Sequence, residues 1–302
     1  MSKVKIVYWS DFICPYCYIA EQRMKNLMKE LNIMDKFEFK LLSFELDPNA
    51  PKERKLNIID NFAKKYFMPV EQAKRTVEHI NELGKAEGID FRYDTCRGGN
   101  TFKAHRLAKY IESKGNYENT EKIINLLYDA YFTKNLLISD EKVLIDLGTQ
   151  VGCTKEELEK FLATEQFSKE IRQDEEDAYS EGVHGVPYFI INKEVINGAA
   201  PKGEMKEVLL GALKNEEKKG KDGHPEGVVC DEKIFSGIGV GGIAGDGLRR
   251  RFWCGETGGT ARSGGCEFDG RHEGNWRCVW NGKSWRQADV QFRFERRASA
   301  GD

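Results

Sequence analysis

The feature that most constrains this chain is Cys14-Pro15-Tyr16-Cys17, set between a strand pattern and a helix pattern. Upstream, Lys3 to Trp9 is apolar and β-rich and suits a buried strand. Downstream, Tyr18 to Leu31 carries Ile19, Met24, Leu27, Met28 and Leu31 at helical spacing. The motif therefore falls on a strand-to-helix turn, with Cys14 near the helix N-cap and Pro15 near the first helical position. Proline suits that position, because its missing N–H is not needed there. The free N–H groups of Tyr16 and Cys17 can point back at the Cys14 sulfur. Together with the positive end of the helix dipole they favour a thiolate. Cys17 lies at i+3 on the same helix face, so a modest adjustment brings the sulfurs into disulfide contact.

Two chemistries use such a pair. In thiol–disulfide exchange, Cys14 attacks a substrate disulfide and Cys17 resolves the mixed disulfide. In a zinc site, the pair is half of a ligand set and needs a second C-x-x-C or a His pair. Residues 1–220 offer only Cys96, Cys153 and scattered histidines, at unsuitable spacings. The residues favour redox chemistry and no bound metal.

Composition fits that reading. Apolar residues make up 40% of the 302, enough for a core, and the net charge of −2 gives no bulk field for nucleic acid or a membrane surface. No apolar run approaches the roughly 20 residues that span a bilayer. The first residues lack the apolar core and cleavage site of a signal peptide. The expected compartment is the cytosol, where paired cysteines are more often catalytic or metal-binding than structural.

The rest of the body reads as one α/β layer interrupted by helices. Phe37 to Phe44 suits a second strand, and about Asn57 to Glu181 is almost wholly helical. Asn100 is expected to cap a helix through Lys114, Ser139 to cap the next segment, and Thr154 with Glu157 to form a capping box. Pro187 to Ile191 and Val195-Ile196 return to strand, and Lys202 to Asn215 closes with an amphipathic helix. A small α/β layer with an all-helical insertion explains this order.

Three stretches, in order, carry a resemblance: Ser10 to Ala20 around the cysteines, Asn100-Thr101-Phe102-Lys103-Ala104-His105-Arg106-Leu107, and Gly182-Val183-His184-Gly185-Val186-Pro187-Tyr188-Phe189. Together they resemble the DsbA-like thioredoxin superfamily, in its FrnE-like branch, over about residues 3–216. The resemblance implies a thioredoxin-like fold with a helical insertion at about 52–181. It implies catalytic Cys14 and Cys17, with Pro15 and Tyr16 in the active-site loop. It also implies that Val186–Pro187 is cis and faces the cysteines, so that the Val186 backbone can pair with a substrate strand. The Pro-Tyr centre is shared with glutaredoxins, which makes glutathione a conceivable co-substrate, although the long insertion argues against a glutaredoxin. Kappa-class glutathione transferases and 2-hydroxychromene-2-carboxylate isomerases resemble the same fold but typically carry Ser at the first cysteine position. Both cysteines here favour the redox reading. A non-catalytic binding module is the third alternative.

Other polar residues are candidates for the cleft. Asp11 could accept a proton from Cys17 or repel its charge, although a solvated loop aspartate is the simpler reading. His105 could line the cleft or serve helix packing, the latter being favoured. His184 could approach the cysteines, although a loop histidine with no catalytic role is simpler. Trp9 and Phe12 flank the motif and are expected to shape its apolar surround, with core packing the default reading of both. The implied partners are a protein or small-molecule disulfide and a separate recycling partner, with a homodimer left open.

Residues 221–302 differ sharply. Lysines outnumber arginines 27 to 7 through residue 220, and arginines outnumber lysines 10 to 3 after it. Four of the five tryptophans fall there. Such a break suggests a fused module, a disordered region or translation past a frameshift, and we favour the last two. Trp276, Cys278 and Trp280 alternate before an Asn281-Gly282 hairpin signal. Gly237 to Gly247 reads as flexible, and Arg249 to Arg251 is too short a run to argue nucleic-acid binding. Cys230, Cys254, Cys266 and Cys278 match no usual zinc spacing.

Overall fold

The computed structural model describes residues 3–221 and, beyond them, the backbone of residues 252–253, 265–268, 276–280 and 283–284. The chain forms two compact units, Met1–Gly227 and Val228–Asp302.

In the first unit, β1 (Val4–Ser10) runs into α1 (Pro15–Glu30), which leads to β2 (Phe37–Ser43). Seven helices follow: α2 (Ile58–Lys65), α3 (Val70–Ala86), α4 (Phe102–Glu112), α5 (Tyr117–Phe132), α6 (Glu141–Thr149), α7 (Lys155–Leu162) and α8 (Ser168–Ser180). The chain then adds β3 (Tyr188–Ile191), β4 (Glu194–Asn197) and α9 (Lys202–Lys221). The sheet order is β2-β1-β3-β4. β1 pairs parallel with β2, Val4 opposite Phe37, and antiparallel with β3, Trp9 opposite Tyr188. A parallel pair needs a crossover, and α1 supplies it. This is a thioredoxin-like fold with a helical block between its two halves.

The period of two along the strands sorts their side chains between two cores. Ile6, Tyr8, Phe39, Phe189 and Ile191 face the main core with Met24 and Met28 of α1 and Met205 and Leu209 of α9. Tyr8 stacks on Phe189 with centroids 5.3 Å apart. Trp9 joins Phe44, Ala178 and Val183 in a second cluster. Helix α8 is pinned there by polar bonds: Asp174 accepts the Trp9 indole N–H at its carbonyl (2.8 Å) and the Ser43 N–H at its carboxylate (2.7 Å).

The caps follow the sequence with two changes. The Thr154–Glu157 capping box forms. Asn100 accepts the Phe102 N–H at 2.9 Å, although Thr101 is the flanking residue of α4, which stops at Glu112. Asp140 rather than Ser139 caps α6, accepting the Lys142 N–H at 3.3 Å. Ser139 instead donates to the Lys52 carbonyl of a crossing loop. Helix α9 runs past the expected end at Asn215, because Glu216 to Lys221 lacks apolar periodicity but consists mostly of good helix formers.

In the second unit, β5 (Phe252–Trp253), β6 (Gly265–Phe268), β7 (Trp276–Trp280) and β8 (Lys283–Ser284) pair antiparallel in that order. Cys266 lies opposite Cys278, and Trp280 opposite Lys283. Cys230, Cys254, the glycine-rich run and Arg249 to Arg251 lie outside the described residues.

Candidate active site

Cys14 is the N-cap of α1, with extended backbone (φ −83°, ψ 114°), and Pro15 opens the helix. The expected N–H bonds to the Cys14 sulfur do not form. The Cys17 N–H goes to the Cys14 carbonyl at 3.1 Å, and no side-chain cap bond is made. The Cys14 thiol points across to the segment that leads into β3 and donates to the Val186 carbonyl at 3.4 Å. The Val186–Pro187 peptide is cis. Two motifs of the resemblance, 172 residues apart in sequence, thus meet in one contact.

Both thiols are free and buried, Cys14 with 4% and Cys17 with 1% exposure. Burial pushes the Cys17 thiol pKa well up, and the adjacent Cys14 sulfur adds to this. Hydrogen bonds from the Ser10 side chain and the Asp11 backbone pull it back down. Tyr16 sits at the surface of the loop, 37% exposed. Burial, then the neighbouring Cys14 and Tyr66, raises its phenol pKa.

Beneath the motif lies a polar layer that sequence alone does not assemble. The Ser10 and Tyr128 hydroxyls are 2.5 Å apart and buried. Tyr18 stacks on Tyr128 at 4.8 Å, and Phe12 packs between Tyr128 and His105. Asp11 is not a solvated loop residue: it is 0% exposed, and its carboxylate accepts the Leu46 N–H at 2.7 Å and the Ile13 N–H at 3.4 Å. His105 is also fully buried, with Nε2 3.6 Å from Asp11 Oδ1, and neither ring nitrogen has a hydrogen-bond partner. Packing is thus its setting, and neither residue lines an open cleft. His184 is exposed, its ring 6.4 Å from that of Tyr179. Phe12 packs in the main core cluster, which also holds Cys14 and Cys17, whereas Trp9 packs in the second cluster with Phe44, Ala178 and Val183.

Further along α1, Lys25 sits between Glu21 (2.6 Å) and Glu121 (2.7 Å), and Tyr8 donates to Glu21 at 3.0 Å. Burial would lower the Lys25 pKa, but the two carboxylates outweigh it and raise it. A cavity of about 1040 Å³ opens there, lined by Tyr18, Lys25, Phe39, Tyr117 and Glu121 but by neither cysteine nor Val186. Among the described residues, no group of three or more His, Cys, Asp or Glu side chains is placed to hold a metal ion, and no helix is long and apolar enough to cross a membrane.

Ser10 and Tyr128 are the neighbours of the cysteines that sequence reasoning passes over. Ser10 adjoins the motif, so its position was a usable signal. Tyr128 reads only as one apolar helical position among many.

A mixed four-stranded sheet with a cysteine pair at the start of its crossover helix, opposite a cis-proline, is the thioredoxin-like fold on which DsbA-like thiol–disulfide oxidoreductases are built. The model of the DSBA-like thioredoxin domain matches residues 5–209, and the chain belongs to that family. The uncharacterized protein YwbO of Bacillus subtilis (strain 168) is 25% identical over 221 residues, which covers 72% of this chain and 98% of that one. A probable DsbA oxidoreductase, SCO1869 from Streptomyces coelicolor, superposes with a TM-score of 0.65 at 28% identity, covering 70% of this chain and 90% of the other. A 2-hydroxychromene-2-carboxylate isomerase superposes with a TM-score of 0.53 at 14% identity, covering 73% and 100%, a likeness of fold alone.

Proposed function

We propose that the chain is a dithiol–disulfide oxidoreductase in which Cys14 exchanges with substrate disulfides and Cys17 resolves the intermediate. The observation that carries this reading is the asymmetry of the pair. Cys14 caps α1 and faces the Val186 carbonyl at 3.4 Å, whereas Cys17 lies one turn further along the helix, where burial raises its thiol pKa. The first sulfur is placed to meet a substrate and the second to wait for the mixed disulfide. A substrate strand would pair with the Val186 backbone and replace its contact with Cys14. No metal enters the chemistry, and a separate reductant or oxidant recycles the pair. The cytosol is the compartment that suits this use of paired cysteines.

Cys14→Ser abolishes exchange, and Cys17→Ser accumulates mixed disulfides visible by mass spectrometry. Full activity in Cys14→Ser would refute the assignment. The direction of the reaction follows from the Cys14–Cys17 potential. A value near the reducing cytosolic poise indicates a reductase, and one far more oxidising indicates an oxidant or isomerase. Glutathione as co-substrate is tested by whether turnover saturates with it. A non-disulfide product would point to the transferase or isomerase chemistry instead.

A further inference from the structure

We propose that the cavity between α1, β2 and α5 binds a small free amine, its ammonium at Glu121 and its apolar stem against the aromatic walls. The site stands apart from the dithiol reading above, because neither cysteine lines it.

The cavity has the size and the walls for such a ligand. Its volume of about 1040 Å³ lies at the upper end for small-molecule sites, roughly 300–1,000 Å³. Tyr18, Phe37, Phe39 and Tyr117 supply apolar wall. Tyr18 is fixed by stacking on Tyr128 at 4.8 Å and on Phe132 at 5.8 Å. Tyr117 is fixed through its hydroxyl, which accepts the Phe39 N–H at 2.9 Å. A ligand need not order walls that are already set.

The polar floor is short of one donor. Lys25 is a single ammonium shared by two carboxylates, Glu21 at 2.6 Å and Glu121 at 2.7 Å. Glu21 is satisfied on both oxygens: Lys25 donates to Oε1 and the Tyr8 hydroxyl to Oε2 at 3.0 Å. Glu121 is satisfied on one. Lys25 meets its Oε2, and among the described residues nothing donates to its buried Oε1. Such an acceptor is unfavourable until a donor reaches it, and the two carboxylates carry one negative charge more than Lys25 balances. The Glu121 side chain keeps 18% exposure on the cavity wall. The last torsion of a glutamate is soft, so a small turn presents Oε1 to an ammonium in the cavity. The other charges on the wall do not supply that donor. Asp35 and Asp129 are paired with Lys36 (3.1 Å) and Lys134 (2.7 Å), and Lys122 donates to the Gln150 carbonyl at 2.6 Å. Lys29 and Glu118 add one charge of each sign.

The chain itself shows which charge the rings accept. Lys3 Nζ lies 5.7 Å from the centroid of the Tyr117 ring, and Lys25 Nζ lies 5.2 Å from that of Phe39. Both fall within the roughly 6 Å over which ring faces attract cations. Lys3 is an exposed residue at the start of the chain, so a ligand ammonium can take its place over Tyr117. An amine thus meets an acceptor that lacks a donor, beside rings that already hold ammonium groups. A carboxylate ligand would meet Glu121 with like charge.

Isothermal titration of the full chain with phenethylamine tests this. Binding is expected with a Kd of about 1 mM or tighter. Phenethyl alcohol and 3-phenylpropionate have the same stem without the ammonium, and are expected to bind at least about tenfold more weakly. Glu121→Gln, checked for folding by circular dichroism, is expected to weaken phenethylamine about tenfold. Lys3→Met changes only an exposed side chain and removes the competing ammonium, so it is expected to tighten binding about threefold. Absence of phenethylamine binding to the unaltered chain overturns the proposal, as does equal binding of the alcohol. An affinity that is unchanged or weaker in Lys3→Met overturns it even where Glu121→Gln fails to fold. Tighter binding of N-acetyl-lysine amide than of phenethylamine would assign the cavity to a lysyl side chain of a protein and overturn the free amine as ligand. The dithiol reading is untouched by any of these results, since none of them measures exchange.

Discussion

Lys25 shows how far burial can be carried by pairing. Its side chain is 10% exposed, and only Glu21 and Glu121 justify a charge there. Burial raises the Glu121 pKa even with Lys25 beside it. Lys25→Met should therefore cost about 3 kcal/mol, because it strands the buried Glu21 and the half-buried Glu121 carboxylates rather than removing one weak bond. Chemical denaturation reads this directly, and an unchanged midpoint would contradict it. Glu157 makes the opposite case at the surface. Hydrogen bonds from Lys114 and Tyr110 lower its pKa from 4.5 to about 2. A lowered carboxylate pKa contributes stability that is present above 4.5 and is lost as pH falls towards 2. With 32% of the side chain exposed, solvent screening keeps that below about 1 kcal/mol. Glu157→Gln should flatten the stability profile in this window, as followed by thermal unfolding at stepped pH.

Among the elements, α1 does most to place the site. It begins at Pro15 because Cys14 is extended, and this turns the Cys14 thiol towards the segment that leads into β3. Its periodicity and the Cys-Pro-Tyr-Cys start made it readable from sequence. The junction of α7 and α8 was not readable in the same way. Arg106 on α4 is 2% exposed and donates to the carbonyls of Gln166 (2.8 Å), Phe161 (3.3 Å) and Thr164, closing the end of α7. A sequence places Arg106 beside His105 but gives no reason for a guanidinium in the core. Arg106→Met should destabilise by roughly 2 kcal/mol, since one buried and two part-buried carbonyls lose their donor. A shift in the urea midpoint tests it, and near-neutrality would show that water reaches these carbonyls.

For the whole molecule, the cysteines and the strand that faces them lie at opposite ends of residues 3–221, with seven helices between. Every residue with a place in the proposed chemistry belongs to the first unit. A chain ended after residue 221 should therefore exchange disulfides with the kcat/KM of the full chain. A large loss would mean that residues 222–302 serve the reaction.

The sequence by itself determined the local parts: the strand entering the cysteine pair, the helix leaving it, the insertion's helical periodicity and the Thr154–Glu157 cap. Each depends on neighbours within a few residues, so spacing and residue type suffice. The resemblance also pointed to Pro187, because a motif preserves what folding brings together. Only the tertiary structure decided that Asp11 is buried and not solvated, that Ser139 ties down a crossing loop instead of capping α6, and that His184 lies outside. It alone set Tyr128 from α5 against Ser10 from β1, a meeting of residues 118 positions apart. The physical reason is that burial and partnership of polar groups are properties of three-dimensional packing. A polar residue reads alike in sequence whether it ends in solvent or beneath a reactive sulfur.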